Sequence, residues 1–493
     1  MLFIVVVLSI MCTIIYFIWN YYFMFPFWTM KSLPGPIRLP LIGSSYIFLQ
    51  KGYFDAVDYF FKKWSSSFQI WVGSNLIIMM YEPNQVKTVL KSRFCLNKHK
   101  GYKIYKPIFG TGLVTISGDM WTKNRKTIAP AFNTSMLHNY FDTFVQESLT
   151  FIEELKTISG KKVIFFEHIQ KCALRISIDT MCGIKLDTNT INESLKFVNS
   201  GNNIVRYKLH NLIMSSDFLF NFTSIAQVQR NVVAFAESFS DKVIQQWTSK
   251  MNTTTANSDT AHNRFLDILM SSSHNKQFTQ KDIHFNIITM MLASHASTAA
   301  TINFVIFMLA IFPEIQEKVY KELLEIYGTK TPKDTPIKYE DLEHMHYLTC
   351  VIKETLRLFP TFPIIGRYLE ADLKIGNNVV PKGTNIGISI FQMHRDETYW
   401  PNPLKFDPER FLPQNLQNSQ LFCYMPFSSG PRNCIAEKYA MIKMKVILAT
   451  LIRTFVFKVS ETDKIEIDKI KLDMNVELIT VEPLKIIVEK RNL

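Results

Sequence analysis

Apolar and polar positions along the chain follow several distinct rhythms. Leu2 to Trp19 is apolar except for one Ser, one Thr and one Cys, and Tyr21 to Trp28 extends the run with aromatics. That is long enough to span a bilayer as a helix. No basic stretch precedes it and no small-x-small cleavage site follows, which argues against a cleaved leader. The first positive charge, Lys31, comes directly after it, so the body is expected on the cytosolic side. Leu33-Pro-Gly-Pro36 then breaks any helix and stiffens the connection. Phe54 to Trp64 has the period of an amphipathic helix, and Phe68–Trp71 and Leu76–Met80 that of short strands. Residues 134–250 read as successive amphipathic helices, and the polar stretch Ser249 to Asn263 as a surface loop.

Thr279 to Phe312 predicts one long, mostly apolar helix stopped by Pro313. It could pass for a second membrane span. However, Ser294, Ser297, Thr298 and Thr301 fall on one side at 100° per residue. Such a narrow polar stripe suits a helix that crosses a core and shows hydroxyls to a ligand. Pro313 to Gly328 predicts the next helix, with Pro in its first turn and Gly at its end, and Glu340 to Leu358 another. Tyr368 to His394 alternates in strand fashion between Gly376-Asn-Asn and Pro381-Lys-Gly383 turns. Ile465 to Glu489 is again β-rich, and its Val476–Val481 portion is expected to return to a pocket. The fold class is therefore mainly α with a smaller β region (α+β). No internal repeat or linker divides the body, so the expected organisation is an anchor over 1–30, a proline-rich hinge over 31–36 and one domain over 37–493.

Composition narrows the function. A hydrophobic fraction of 47% and an aromatic fraction of 13% suffice for a deep core with an enclosed apolar cavity. The net charge of +13 comes without a basic tail or a nucleic-acid motif, so nucleic acid is not an expected partner. A solvated basic surface explains it, with cations steering an acidic protein and an anionic membrane. Cys12, Cys95, Cys172, Cys182, Cys350, Cys423 and Cys434 are odd in number and scattered, which suits reduced thiols rather than a disulfide framework.

The chemistry concentrates in Phe427-Ser-Ser-Gly-Pro-Arg-Asn-Cys434-Ile-Ala436, just before the apolar run Tyr439–Ile452. A cysteine at the mouth of a helix is favoured as thiolate by the exposed amides and the positive dipole end. Gly430 would let the loop pass close beneath a flat ligand, where a Cβ would collide. Arg432 could set its planar fork on a carboxylate of that ligand. A lone cysteine after a turn is commonly just a buried structural residue; this one stands in a full motif. The stretch matches Phe-x-x-Gly-x-Arg-x-Cys-x-(Gly or Ala) and resembles the cytochrome P-450 superfamily, in which a cysteine thiolate holds haem iron.

The resemblance runs from Leu33 to the end and implies the P-450 fold, with haem b held between the long central helix and the helix after the Cys loop. It makes Cys434 the metal ligand, with Phe427 and Gly430 in the haem-binding loop. Trp121-Thr-Lys-Asn-Arg125, Arg367 and Arg432 become the propionate-binding residues. Gly110 to Gly118 becomes the loop roofing the substrate pocket. Glu354-Thr-Leu-Arg357 and Arg410, in Phe406-Asp-Pro-Glu-Arg410-Phe411, become a buried structural triad. The long helix aligns with the family's oxygen-binding helix, where an acid–Thr pair relays protons. Here the acid's position is Ala296, the threonine's is Ser297 followed by Thr298, and the usual glycine is Ser294. Ser297 and Thr298 are the catalytic candidates, with protons arriving through water. His295 lies about 200° round the helix from Ser297 and is expected in the core or pocket wall.

Ser294-His-Ala-Ser-Thr298, Lys353 to Pro360 and Phe406 to Phe411 are most similar to the fatty-acid ω-hydroxylase clan, family four. Its haem-esterifying glutamate is Ala293 here, so haem is expected to be non-covalent apart from the thiolate. The implied activity is NADPH- and O2-dependent hydroxylation of a fatty acid, isoprenoid or foreign lipophile in the endoplasmic reticulum membrane, catalytic domain to the cytosol. The implied partners are a membrane flavoprotein NADPH reductase, with cytochrome b5 as a second donor. Two alternatives stay open: an isomerase or dehydratase that needs no O2, and a non-catalytic haem or lipid binder.

Overall fold

The computed structural model describes residues 2–23, 33–39, 42–64, 67–73, 75–211, 214, 217–253, 264–274 and 278–491. Helix α1 (Leu2–Phe23) has exposed side chains from Phe3 to Ile18. Phe27 and Trp28, which end the aromatic run, and Lys31, on which the orientation rests, lie outside the described residues.

Two apolar strands open the body, β1 (Ser67–Val72) and β2 (Asn75–Met80), and pair as an antiparallel hairpin. Two late strands, β3 (Ile364–Tyr368) and β4 (Asn385–Ser389), complete a sheet of order β1-β2-β4-β3, in which β2 and β4 run parallel. A parallel pair needs a crossover connection. Here the crossover is the helical body itself.

That body includes α2 (Gly118–Ile128), α3 (Phe165–Cys182), α4 (Thr188–His210), α5 (Gln280–Ile311) and α6 (His346–Leu358), and α7 (Glu437–Thr454) follows β4. Thr279 starts α5 with a capping box: its hydroxyl accepts from the Asp282 amide while the Asp282 carboxylate accepts from the Thr279 amide. Apolar on nearly every side, α5 is a core helix, and 83% of its most apolar window is buried. It runs along α3 and also touches α6 and α7. A short hairpin, β5 (Leu472–Met474) and β6 (Leu478–Thr480), lies near the end of the chain.

Four boundaries differ from the sequence expectation. Ser249 to Thr253 are the last turns of helix Ser224–Thr253, because their polarity marks a solvent-facing side rather than a break. Glu340–Leu358 is two pieces, a 3₁₀ turn over Glu340–His344 and then α6, separated by Met345 at ψ 66°. Ile390–Met393 leaves β4 as a helical turn, where the Ser389 hydroxyl accepts from the Gln392 amide. Residues 465–471 form no strand, only a 3₁₀ turn at Ile467–Lys469.

Candidate active site

The Cys loop owes its shape to two positive-φ residues, Ser428 (64°) and Gly430 (73°). His394 Nε2 accepts from the Met425 amide at 2.9 Å, and the Cys434 amide donates to the Phe427 carbonyl at 2.9 Å. Gly430 is needed by the protein's own packing: a Cβ there would lie 2.2 Å from the Leu90 carbonyl, and Gly430 does not line the cavity. The Cys434 side chain is exposed to a cavity that it shares with Phe427, Asn433 and Ala436. Enclosure by protein pushes its thiol up to about 11, although the Ala436 amide, Arg125 and Lys98 pull the other way. For the bare sulfur, desolvation therefore outweighs the helix-mouth stabilisation expected from the sequence.

One wall of the cavity is cationic. Trp121 and Arg125, four apart on α2, both line it. Arg125 donates to the Asn433 carbonyl at 2.8 Å and to Asn433 Oδ1 at 2.7 Å, which ties α2 to the Cys loop. Arg432 lies 4.3 Å over the Trp121 ring and donates through both terminal nitrogens to the Ile116 carbonyl. Burial pulls it down to about 9. Arg367, fully buried on β3, donates to Ser428 Oγ at 3.4 Å and stands just behind the lining rather than in it. Lys98, which carried no signal in the sequence, also lines the cavity. Burial and the neighbouring Arg367, Arg432 and Arg125 hold its ammonium well below the usual range.

The opposite wall is α5. Ser294, Ser297, Thr298 and Thr301 all line the cavity, as the stripe predicted. Each hydroxyl donates to the carbonyl four residues back, and Thr301 Oγ1 also meets Thr361 Oγ1 at 3.0 Å. Ala293 lines the cavity too, while His295 is fully buried away from it. Met474 and Val476 of the β5–β6 hairpin close one side, and Leu113 and Val114 of the roof loop, with Phe109 just before it, another. The cavity and the solvent-open mouth together span about 1690 Å³.

Behind the site, Glu354 and Arg357 are fully buried. The Glu354 carboxylate accepts from Arg357 at 2.7 and 2.9 Å and from the Asp407 amide at 2.9 Å. The third member of the expected triad is looser. Arg410 Nε stands 3.5 Å from Glu354 without a hydrogen bond, its side chain is 12% exposed, and its terminal nitrogen donates to the Asn402 carbonyl. Arg410 is an outer ion-pair partner, not a locked member.

Among the described residues no Asp or Glu lines the cavity, whereas Lys98, Arg125 and Arg432 do and Arg367 backs them. Buried cations without a carboxylate call for an anionic guest, and Cys434 supplies the one thiol among the described lining residues. The chain itself has matches. The family model for cytochrome P450 matches residues 33–487. Cytochrome P450 4c21 of Blattella germanica is 30% identical over 479 residues, 94% of each chain. Cytochrome P450 4c3 of Drosophila melanogaster is 30% identical over 462 residues, 89% of this chain and 85% of that one. Cytochrome P450 4V2 of Homo sapiens is 31% identical over 445 residues, 86% of this chain and 84% of that one. Cysteine loop, cationic wall and hydroxyl-lined helix thus come together in a chain that belongs to the cytochrome P450 family, the haem-thiolate monooxygenases.

Proposed function

We propose that this chain hydroxylates a lipophilic substrate (a fatty acid, isoprenoid or foreign lipophile) with electrons from NADPH and oxygen from O2. The observation that carries the reading is a cavity with a thiol on one side, a hydroxyl stripe on the other and, among the described residues, cations as its charged lining groups. Haem bound there supplies the activation of dioxygen. The Cys434 sulfur would hold its iron. Trp121, Arg125, Arg432, Arg367 and Lys98 would hold its propionates, which restores counter-ions to cations that burial has depressed.

Ser297 and Thr298 would hold protons at the opposite wall. With Ala296 in place of an acid, these protons come from water. Apolar Phe109, Leu113, Val114, Met474 and Val476 would exclude bulk water and orient the substrate. Ala293, lacking a carboxylate, leaves the haem non-covalent. Helix α1 would anchor the protein in the endoplasmic reticulum membrane, where a flavoprotein NADPH reductase, with cytochrome b5 as a second donor, would supply electrons.

The test is a substrate screen with reductase and NADPH that reads product and hydrogen peroxide, on wild type and Cys434→Ser. The expected result is product from wild type and none from Cys434→Ser. Product formed anaerobically without NADPH would overturn the reading in favour of an isomerase or dehydratase. Wild-type turnover by Cys434→Ser would remove the thiolate from the account.

A further inference from the structure

A second polar feature lies behind the hydroxyl stripe. Lys443 of α7 is fully buried, and all its hydrogen-bond partners are neutral. Its Nζ donates to the Ala173 carbonyl and Ser177 Oγ of α3, both at 2.9 Å, and to the Ser294 carbonyl of α5 at 3.1 Å. The Thr298 hydroxyl donates to that same Ser294 carbonyl, also at 3.1 Å. Thr298 lines the cavity, while Lys443 reaches the same acceptor without lining the cavity. A buried ammonium ordinarily sits beside a carboxylate; this one shares a backbone oxygen with a residue of the active site.

We propose that Lys443 is a positioning residue for the reaction: through the Ser294 carbonyl, its protonation state sets how firmly the Thr298 hydroxyl is held to its own helix. The inference rests on the reading that Thr298 faces the chemistry. A charged donor makes the stronger hydrogen bond. The ammonium draws on the shared oxygen and frees the Thr298 proton for the cavity, whereas the neutral amine leaves that proton on the Ser294 carbonyl. Both forms of Lys443 stay fully bonded. The Ser177 hydroxyl donates to the Ala173 carbonyl at 2.7 Å beside the ammonium, and rotation lets it donate to the lone pair of the amine.

The groups around Lys443 leave it as the one that titrates near neutrality. Burial pushes the Cys172 thiol of α3 up to about 12, pulls the His295 imidazole of α5 down to about 3, and raises the Tyr439 phenol of α7 above its ordinary range. All three are uncharged in the working range. Burial brings Lys443 itself down to about 7.

The test measures coupling, product per NADPH consumed, in the haem-loaded full-length protein with reductase at about pH 6 and about pH 8.5. Wild type is expected to lose coupling about fivefold between the two, the worth of one hydrogen bond, with hydrogen peroxide rising to match. Lys443→Met is expected to be equally uncoupled at both pH values with KM unchanged, and Lys443→Arg, charged throughout, to keep its coupling at the higher pH. In a Thr298→Val background, Lys443→Met is expected to change nothing further. Flat wild-type coupling, a wild-type profile in Lys443→Met, or a further loss in the double variant would each overturn the proposal. Normal coupling in Thr298→Val would remove the underlying reading of the stripe as well. Altered coupling in Thr298→Val with none in Lys443→Met would remove this proposal alone.

Discussion

At the scale of single residues, charge inside this protein follows what surrounds it rather than the motif that contains it. Glu354 and Arg357 share a helix face three apart, and that spacing made the pair legible in the sequence. Their bidentate geometry and full burial mean that removing either strands a charge. Glu354→Ala or Arg357→Ala should therefore cost roughly 3–5 kcal/mol and most of the haem-loaded yield. Arg410, at 3.5 Å and partly exposed, should cost only about 1 kcal/mol. Thermal unfolding of the three variants beside wild type checks the ranking. Equal losses at Arg357 and Arg410 would restore the closed triad.

Glu477 is a buried carboxyl with a different fate: burial alone raises it from 4.5 to about 8. Between those values the folded chain keeps a proton that the unfolded chain has released, so this residue's contribution to stability falls as pH rises through the window. Glu477→Gln should melt above wild type at about pH 8.5, by an amount on the order of a few kcal/mol, and level with it near pH 4.5. The opposite order would show a partner for the carboxylate. Nothing in the local text around Glu477 or Lys98 marked them, because enclosure comes from segments remote in the chain.

At the scale of elements, periodicity carried far, and it failed where two segments dock. The hydroxyl stripe of α5 was readable at 100° per residue, and so was the proline that closes it. How the roof loop seats on α5 was not readable. Thr111 Oγ1 donates to Asp282 Oδ1 at 2.6 Å and the Leu113 amide to Asn286 Oδ1 at 3.1 Å. Those two acceptors sit 171 and 173 residues away in the chain, and Asn286 hides within an apolar run. Gly112 lies between these tethers, where a Cβ would come 1.9 Å from Thr289 Oγ1 and 2.9 Å from the Phe285 carbonyl. Gly112→Ala should lift the loop, costing about 1–3 kcal/mol and weakening substrate binding more than haem binding. Titration of a bound lipophile against the haem absorption checks this. On the far side, Asp473 of β5 pairs with Arg206 at 2.6 Å and His210 at 3.2 Å, both near the end of α4. No spacing in the sequence could announce that tie.

At the scale of the whole molecule, α1 stands apart from the rest, its side chains from Phe3 to Ile18 exposed. A chain lacking residues 2–32 should melt within about 2 °C of the full protein, load haem normally and lose its affinity for lipid vesicles. Sedimentation with vesicles and calorimetry read the two effects separately, and a large drop in melting temperature would make α1 part of the fold. The largely helical middle was legible because each helix carries its own period, the short strand Lys162–Ile164 excepted. The sheet was legible only as strands, since their order depends on partners at opposite ends of the chain.

That order has a consequence during synthesis. The β1–β2 hairpin emerges early, yet β4, which Met80 meets at Ile388, follows about 300 residues later. At the usual pace of a ribosome this leaves β2 waiting roughly 15–60 s with an unpaired apolar edge. Anything that shields nascent strands over that interval, a chaperone or the membrane surface held close by α1, should govern the yield of this protein more strongly than it governs the melting point of the finished molecule.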